Sequence, residues 1–338
     1  MKIICFGNRG SRALGASMDS PFGLYGGDTT AIGIFCDDGT IIGLDAGSGA
    51  WKWPYTFKNT LGMNGPIKMH MFFSHYHDDH KTGFPQLEQL FIPGNKFHFW
   101  GPRKKDLYPT GYPKAKKFNL KRMFHQKSSA DNPNLTDAYN AEIKLQTIPD
   151  NGPNNNSIDL SDSVTVSWIR VKHGGQHAYG YRIDNNGMSF SMISDTHHTV
   201  DISGQPQLNT DVINFIQGSD IFMSDCHFTD EEFNNNPDFC GAAMGHSTGE
   251  HGVRLSDAAD VPIFMPHHYA PTKTDTDLDQ EMNELRQYAQ RFKNVSIIAS
   301  QPSLVVDLSV PAEKRVQHML MQSTPALRQQ ALQGTLSL

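Results

Sequence analysis

The segment Phe73-Ser74-His75-Tyr76-His77-Asp78-Asp79-His80 decides how the chain is interpreted, because it places four potential metal ligands within six positions. It directly follows an apolar, strand-like run. In extended backbone, side chains two residues apart point to the same side, so His75 and His77 can bind one cation. A turn into a helix then directs Asp79 and His80 towards a second position nearby. Imidazole and carboxylate groups suit zinc, and also iron or manganese.

A two-metal site needs more ligands than this segment supplies, and other predicted strands end in residues of the right type. His173, Asp195 and the pair His267–His268 each follow an apolar, strand-like segment. A single histidine after a strand is more often an ordinary loop residue. Three such positions in succession instead indicate that several strand ends meet at one site.

The composition is that of a soluble globular protein, with 38% hydrophobic and 19% charged residues. A net charge of −6 disfavours a nucleic-acid polymer as the partner and favours a small-molecule substrate. The four cysteines show no CxxC spacing, which is typical of a reducing compartment. Neither a signal-peptide-like segment nor an apolar run of membrane-spanning length is found, so we expect a cytoplasmic protein with no membrane partner.

Short strand-like runs recur along the chain, and helical segments lie between groups of them. Asp37-Asp38-Gly39 and Asn185-Asn186-Gly187 are hairpin signals between such runs. A series of strands is followed by a helix and then by a second such series. This order favours two sheets faced by helices, an α+β four-layer αββα sandwich, over an alternating parallel sheet. The helices are predicted at residues 84–90, 212–217, 249–259 and 277–293.

One catalytic domain is predicted at residues 1–310, followed by a helical tail at residues 311–338 that is broken near Pro325. Residues 101–140 and 150–157 are predicted as loops, because they are rich in turn-forming and polar residues. The tail is expected to pack on its own domain or on a second subunit, so a homodimer is an open alternative.

With these motifs, the sequence resembles the metallo-β-lactamase superfamily over most of residues 1–308. Within it, the similarity is greatest to the branch containing ribonuclease Z and the cyclic-nucleotide or phosphonate-pathway phosphodiesterases. The resemblance implies the sandwich fold and a hydrolytic metal site. Besides the opening motif it rests on Gly7-Asn8-Arg9-Gly10-Ser11, Gly26-Gly27-Asp28-Thr29-Thr30, Leu44-Asp45-Ala46-Gly47-Ser48-Gly49, and Gly245-His246-Ser247-Thr248.

The resemblance also implies two metal positions that share one bridging carboxylate. The implied ligands are His75, His77 and His173 for the first ion, Asp79, His80 and His267 for the second, and Asp195 between them. Asp45 is expected to brace the metal loop by hydrogen bonds. His177 and His268 stay open as alternative ligands, because the segment between His173 and Tyr179 has one residue more than the family pattern and the last ligand position is the pair His267–His268.

The segment containing His246 is similar to the GHST element of ribonuclease Z, whose histidine is thought to stabilise charge or donate a proton. His246 and Asp79 are therefore the implied catalytic residues. A long glycine-rich or basic arm of the kind that holds tRNA is not found, which counts against tRNA processing.

The resulting hypothesis is a metal-dependent phosphodiesterase acting on a small or cyclic nucleotide-like phosphoester. Two divalent metal ions, zinc in the first place with iron or manganese as alternatives, would generate the attacking hydroxide. The same chemistry can act on a carbonyl substrate such as a lactone, a thioester or a β-lactam, so that alternative stays open. A third alternative is a non-catalytic sensor that keeps the metal site.

Overall fold

A computed structural model describes residues 1–15, 23–59, 62, 65–108, 120–127, 139–152, 156–201, 206–302 and 304–322. Its first sheet has seven strands, in the order β16 (Val305–Asp307), β1 (Lys2–Gly7), β2 (Ala31–Phe35), β3 (Ile41–Leu44), β4 (Lys68–Phe72), β5 (Lys96–Pro102) and β6 (Glu142–Ile148). The pairs from β16 to β3 are antiparallel, and those from β3 to β6 are parallel.

The second sheet repeats this mixture of antiparallel and parallel pairs. Its seven strands have the order β15 (Ser296–Ile297), β14 (Ile263–His267), β13 (Ile221–Asp225), β10 (Met188–Ile193), β9 (Gln176–Asn185), β8 (Val164–His173) and β7 (Ser157–Asp159). Strands β8, β10, β13 and β14 all run in one direction, so their carboxyl ends meet at one edge. A small ribbon pairs β11 (Thr199–Val200) with β12 (Pro206–Gln207).

Alternation of side chains in the strands generates the layers. In β8, Val164, Val166 and Trp168 enter the apolar core between the sheets, whereas Ile169 and Val171 enter the core on the outer face. A third apolar cluster covers the outer face of the first sheet. The chain is therefore a four-layer αββα sandwich, which confirms the predicted fold class.

Eight α-helices are described, and they only partly match the prediction. They are α1 (Trp53–Asn59), α2 (Lys104–Leu107), α3 (Leu120–Lys127), α4 (Thr210–Ile216), α5 (Asp230–Asn235), α6 (Gly249–Ala258), α7 (Asp275–Ala289) and α8 (Ala312–Gln322). The helix predicted at residues 84–90 is instead two 3-10 turns, Phe84–Gln86 and Glu88–Phe91, with extended Leu87 between them. The prediction of loop across residues 101–140 is wrong for α2 and α3; residues 109–119 and 128–138 lie outside the described ranges.

Helix α8 closes one end of the core between the sheets. Met319 is fully buried in that core, and Val316 packs against it. The predicted break near Pro325 lies outside the described residues, and the division into residues 1–310 and 311–338 stays a prediction. Within the described ranges, none of the helices is long and apolar enough to cross a membrane.

Candidate metal centre

Four side chains from three strand ends form a first group of potential ligands. His75 and His77 follow β4, His173 ends β8, and Asp195 follows β10. One ligand atom from each lies within 4.8 Å of all the others. Nε2 of His173 is 3.2 Å from Nδ1 of His77 and 3.5 Å from Oδ2 of Asp195. The loop that follows β4 in the first sheet thus meets the carboxyl ends of β8 and β10 in the second sheet.

A second group shares Asp195 with the first. It comprises Asp79, His80, Asp195 and His268, all of them buried. Oδ1 of Asp195 lies 3.0 Å from Nε2 of His80 and 3.2 Å from Nε2 of His268. Oδ2 of Asp79 is 3.2 Å from the same nitrogen of His268. Asp195 therefore occupies the position expected of a bridging carboxylate.

The spacing of these atoms fits divalent cations. Four ligands held about 2.0–2.1 Å from a tetrahedral zinc ion are roughly 3.3 Å apart, close to the separations observed here. Nε2 of His75 is buried without a hydrogen-bond partner, although it lies 3.7 Å from Asp195. A cation between these atoms would satisfy that nitrogen.

The electrostatics of the cluster also favour a cation. Burial opposes a charge on His80, but Asp195 and Asp79 outweigh it and raise the pKa of His80 well above its usual value. Burial likewise works against ionised Asp79, yet the neighbouring His80 and His268 hold the pKa of Asp79 well below its usual range. The carboxylates therefore stay ionised and attract positive charge into a buried space.

Asp45, directly after β3, holds the loop of residues 74–80 that carries the candidate ligands of the first sheet. Its carboxylate accepts hydrogen bonds from the backbone N–H and the hydroxyl of Ser74, both at 2.7 Å. Its Oδ2 lies 2.8 Å from Nδ1 of His80. This contact keeps a proton on Nδ1 and leaves Nε2 of His80 free for a metal.

His246 lies beside both groups, and with His227 and His268 it forms a third group of buried potential ligands. Its ring centroid is 5.3 Å from that of His173 and 4.9 Å from that of His268. Its Nδ1 is 2.8 Å from Oδ2 of Asp225, the last residue of β13. Asp225 was not predicted as a site residue, although it carries the strand-end signal that identified Asp195.

The structure brings His268, rather than the predicted His267, to the candidate ligands. His267 is the final residue of β14; its Nδ1 lies 3.5 Å from Oγ of Ser300, and it belongs to neither ligand group. His268 has a left-handed φ of +58°, and this turn directs its ring at the centre. Gly10 makes room for that ring, because a Cβ at this position would lie 2.4 Å from it.

The other open alternative, His177, is not brought to the centre. In the β8–β9 pair His177 lies opposite Lys172, whereas His173 lies opposite Gln176. His177 therefore shares a face of the sheet with Lys172 and not with His173. Successive side chains of a strand leave opposite faces, so His173 and His177 cannot both face the site. His173 is the member that the structure places there.

Comparisons with known proteins identify the family. The family model for the Beta-lactamase superfamily domain matches residues 68–269, more than half of the chain. The chain therefore belongs to the metallo-β-lactamase superfamily, whose members are metallo-hydrolases that bind divalent metals. A comparison with curated protein sequences finds no match.

Solved structures show the same fold at low sequence identity. Zinc-bound PqqB from Methylobacterium extorquens is 15% identical with a TM-score of 0.58, covering 91% of this chain and 100% of that one. A diphosphatase from the PhnP family is 14% identical with a TM-score of 0.57, covering 91% and 97%. The short form of human tRNase Z is 14% identical with a TM-score of 0.56, covering 91% and 99%.

Proposed function

We propose that this metallo-β-lactamase-fold protein is a phosphodiesterase that acts on a small or cyclic nucleotide-like phosphoester with two divalent ions, zinc in the first place. The observation that carries this proposal is the His246–Asp225 pair beside the two ligand groups. Hydrolysis of an alkyl phosphoester releases a basic alkoxide, which needs a proton donor. His246 supplies such a donor next to the centre.

The ligand groups determine where the reaction takes place. When bound, two divalent cations polarise a phosphoryl oxygen and lower the pKa of water for attack. Asp195 would contact both positions, because its Oδ1 lies beside His80 and its Oδ2 beside His173. Asp79 is oriented by the backbone N–H of Ser11, which donates to its Oδ2 at 2.7 Å. Its carboxylate is thereby placed to accept a proton from the attacking water.

The hydrogen bond to Asp225 decides which nitrogen of His246 can act. With Nδ1–H donated to the carboxylate, Nε2 can give a proton to the leaving group only from the doubly protonated ring. Burial lowers the pKa of His246 well below its usual value, which makes that form a strong acid. A positioned acid of this kind typically contributes a factor of about 10²–10⁴. A thioester expels a thiolate, which needs no such donor, so the pair favours a phosphoester over that alternative.

Two further observations support the proposal. One of the similar structures is named a tRNase and another a diphosphatase, which is consistent with chemistry at phosphorus. The net charge of −6 favours a small substrate over a nucleic-acid polymer.

The test compares two phosphodiesters that differ in their leaving group. Zinc-loaded protein is assayed with bis(p-nitrophenyl) phosphate and with 3′,5′-cyclic AMP, and with a lactone and a thioester. We expect phosphodiester hydrolysis in the wild type. His246→Ala should lower kcat for the alkyl leaving group of cyclic AMP by about 10²–10⁴, but should lower it much less for p-nitrophenolate. His318→Ala, a change on α8, serves as the control.

Hydrolysis of the lactone or thioester without any phosphodiester hydrolysis would refute the proposal in favour of a carbonyl substrate. An equal loss on both phosphodiesters in His246→Ala would refute the role of His246 as a leaving-group acid.

A further inference from the structure

The histidines of the metal centre each have one ring nitrogen facing the metal positions and one facing outward. The outward Nδ1 of His173 donates to the carbonyl oxygen of Gly245 at 2.9 Å. The outward Nε2 of His77 contacts a different kind of group, the side-chain amide of Gln176. Nδ1 of His77 lies 3.2 Å from Nε2 of His173 and so faces the first metal position.

The β8–β9 hairpin explains why Gln176 is there. The two strands are joined by Gly174-Gly175, and Gly174 has a left-handed φ of +55°. His173 and Gln176 are directly opposite each other across the turn. Cross-strand partners project from the same face of a sheet, so Gln176 shares the face that carries a metal ligand. This turn lies between His173 and Tyr179, where the chain has one residue more than the family pattern.

A metal bound at Nδ1 of His77 requires a lone pair on that nitrogen and therefore a proton on Nε2. That proton needs an acceptor, and the amide oxygen of Gln176 is the acceptor within reach. The structure places the amide nitrogen of Gln176 next to Nε2 of His77. The oxygen and nitrogen of an amide exchange places by a half-turn of the group, so this requirement assigns Oε1 to the position that faces His77.

We infer that Gln176 is a positioning residue of the metal centre, an inference that rests on the proposed metal-dependent function. Its side-chain oxygen accepts a hydrogen bond from Nε2–H of His77 and holds this ligand in the tautomer that offers Nδ1 to the metal. An amide does this without adding a negative charge to a centre that already contains Asp79 and Asp195. It braces His77, which is less buried than the other ligands.

The test measures zinc affinity by competition with a chromophoric chelator, starting from metal-free protein. We expect Gln176→Ala to weaken the site containing His77 by about 10–100-fold, as is typical for the loss of a partner behind a metal ligand. Gln176→Glu keeps an acceptor oxygen and should restore the affinity to the wild-type level or above. Gln280→Ala, at an exposed glutamine of α7, is the matched control.

A spectroscopic readout separates positioning from general damage to the fold. In zinc-loaded wild type the Nε2 proton of His77 should exchange slowly enough to give a resolved NMR signal, and this signal should broaden in Gln176→Ala. Wild-type zinc affinity in Gln176→Ala, or failure of Gln176→Glu to restore it, would overturn the inference. A wild type that binds no zinc would instead overturn the metal-dependent function itself.

Discussion

His268 shows how one backbone angle can select a candidate metal ligand from two adjacent histidines. We expect His268→Ala to reduce the zinc content from about two ions per chain to about one, because the second ligand group loses a nitrogen near both Asp79 and Asp195. His267→Asn should retain about two ions, since His267 belongs to neither group. Metal analysis of purified protein after loading and desalting measures both.

The two variants also control for each other, because both change a fully buried histidine of the same segment. Loss of zinc in His267→Asn with retention in His268→Ala would reverse the assignment. Equal loss in both, in protein that is still folded by circular dichroism, would show that neither residue is specific for the second ion.

Sequence patterns predict the ligand types and the strand ends that carry them, but not the direction of each side chain. Alternation in extended backbone was enough to pair His75 with His77. The choice of His268 depends on a positive φ, which histidine adopts only occasionally, so residue preference favoured neither neighbour. The place of Gln176 beside His77 depends on the register of the β8–β9 hairpin. The role of Asp225 depends on the position of His246. Contacts between segments distant in sequence decide both, and local patterns do not contain them.

At the scale of elements, the short π-helical segment Asp238–Met244 ends at Gly245 with a φ of +86°, and that glycine supports a ligand. A Cβ on Gly245 would lie 2.5 Å from Nδ1 of His173 and 2.4 Å from the backbone nitrogen of Gly174. We expect Gly245→Ala to displace His173, to weaken zinc binding, and to cost about 1–3 kcal/mol in the free energy of unfolding.

Urea unfolding and chelator competition measure these two effects. Gly241→Ala is the matched control in the same segment, because the nearest neighbour of its added Cβ would be the ring of Phe233, at 3.2 Å. Similar zinc affinities in Gly245→Ala and Gly241→Ala would contradict a supporting role for Gly245.

Helix α6 begins with a carboxyl group that makes stability depend on pH. Burial, followed by the charge of Asp230, raises the pKa of Glu250 to about 7. The folded state therefore holds a proton that the unfolded state releases near pH 4.5, so stability falls as pH rises between about 4.5 and 7. Glu250→Gln removes this fall, and we expect its Tm at pH 8 to exceed that of the wild type by roughly 2–6 °C.

Thermal unfolding at pH 5 and pH 8 tests this expectation. The glutamine keeps the oxygen that accepts from the backbone N–H of Asp230, so the helix contact itself should persist. An equal difference in Tm between Glu250→Gln and wild type at both pH values would show that the titration of Glu250 is not responsible.

Secondary structure was predictable where periodicity is strong and less so where individual turns decide. The strand-like alternation in β8 and the hairpin signal at Asn186-Gly187 both led to the observed elements. The helix predicted at residues 84–90 failed because Leu87 is extended and divides the segment into two single 3-10 turns. Helices α2 and α3 occur in a polar stretch whose composition resembles that of a loop.

At the scale of the whole molecule, the candidate metal centre lies where the two sheets meet. The loop with His75 and His80 extends from the first sheet, whereas Asp195 and His268 come from the second. The backbone of the loop is tied to the second sheet as well. The hydroxyl of Tyr181 donates to the carbonyl oxygen of Phe73 at 2.6 Å, and Tyr179 N–H donates to Ser74 O at 2.9 Å. Bound metals would therefore connect the sheets directly.

This arrangement predicts that metal removal destabilises the entire fold. A ligand present at 100 times its Kd adds about 2.7 kcal/mol to the folded state, so two ions should add about 5 kcal/mol and raise Tm by roughly 5–10 °C. Chelation should reverse this gain and zinc should restore it. His268→Ala should show about half of the zinc-dependent gain, whereas His246→Ala should keep all of it, because His246 lies outside both ligand groups. The measurement is Tm by calorimetry, with the metal content determined for each sample. An unchanged Tm after verified loss of zinc would show that the sheets are held together without the ions, and that the centre serves chemistry alone.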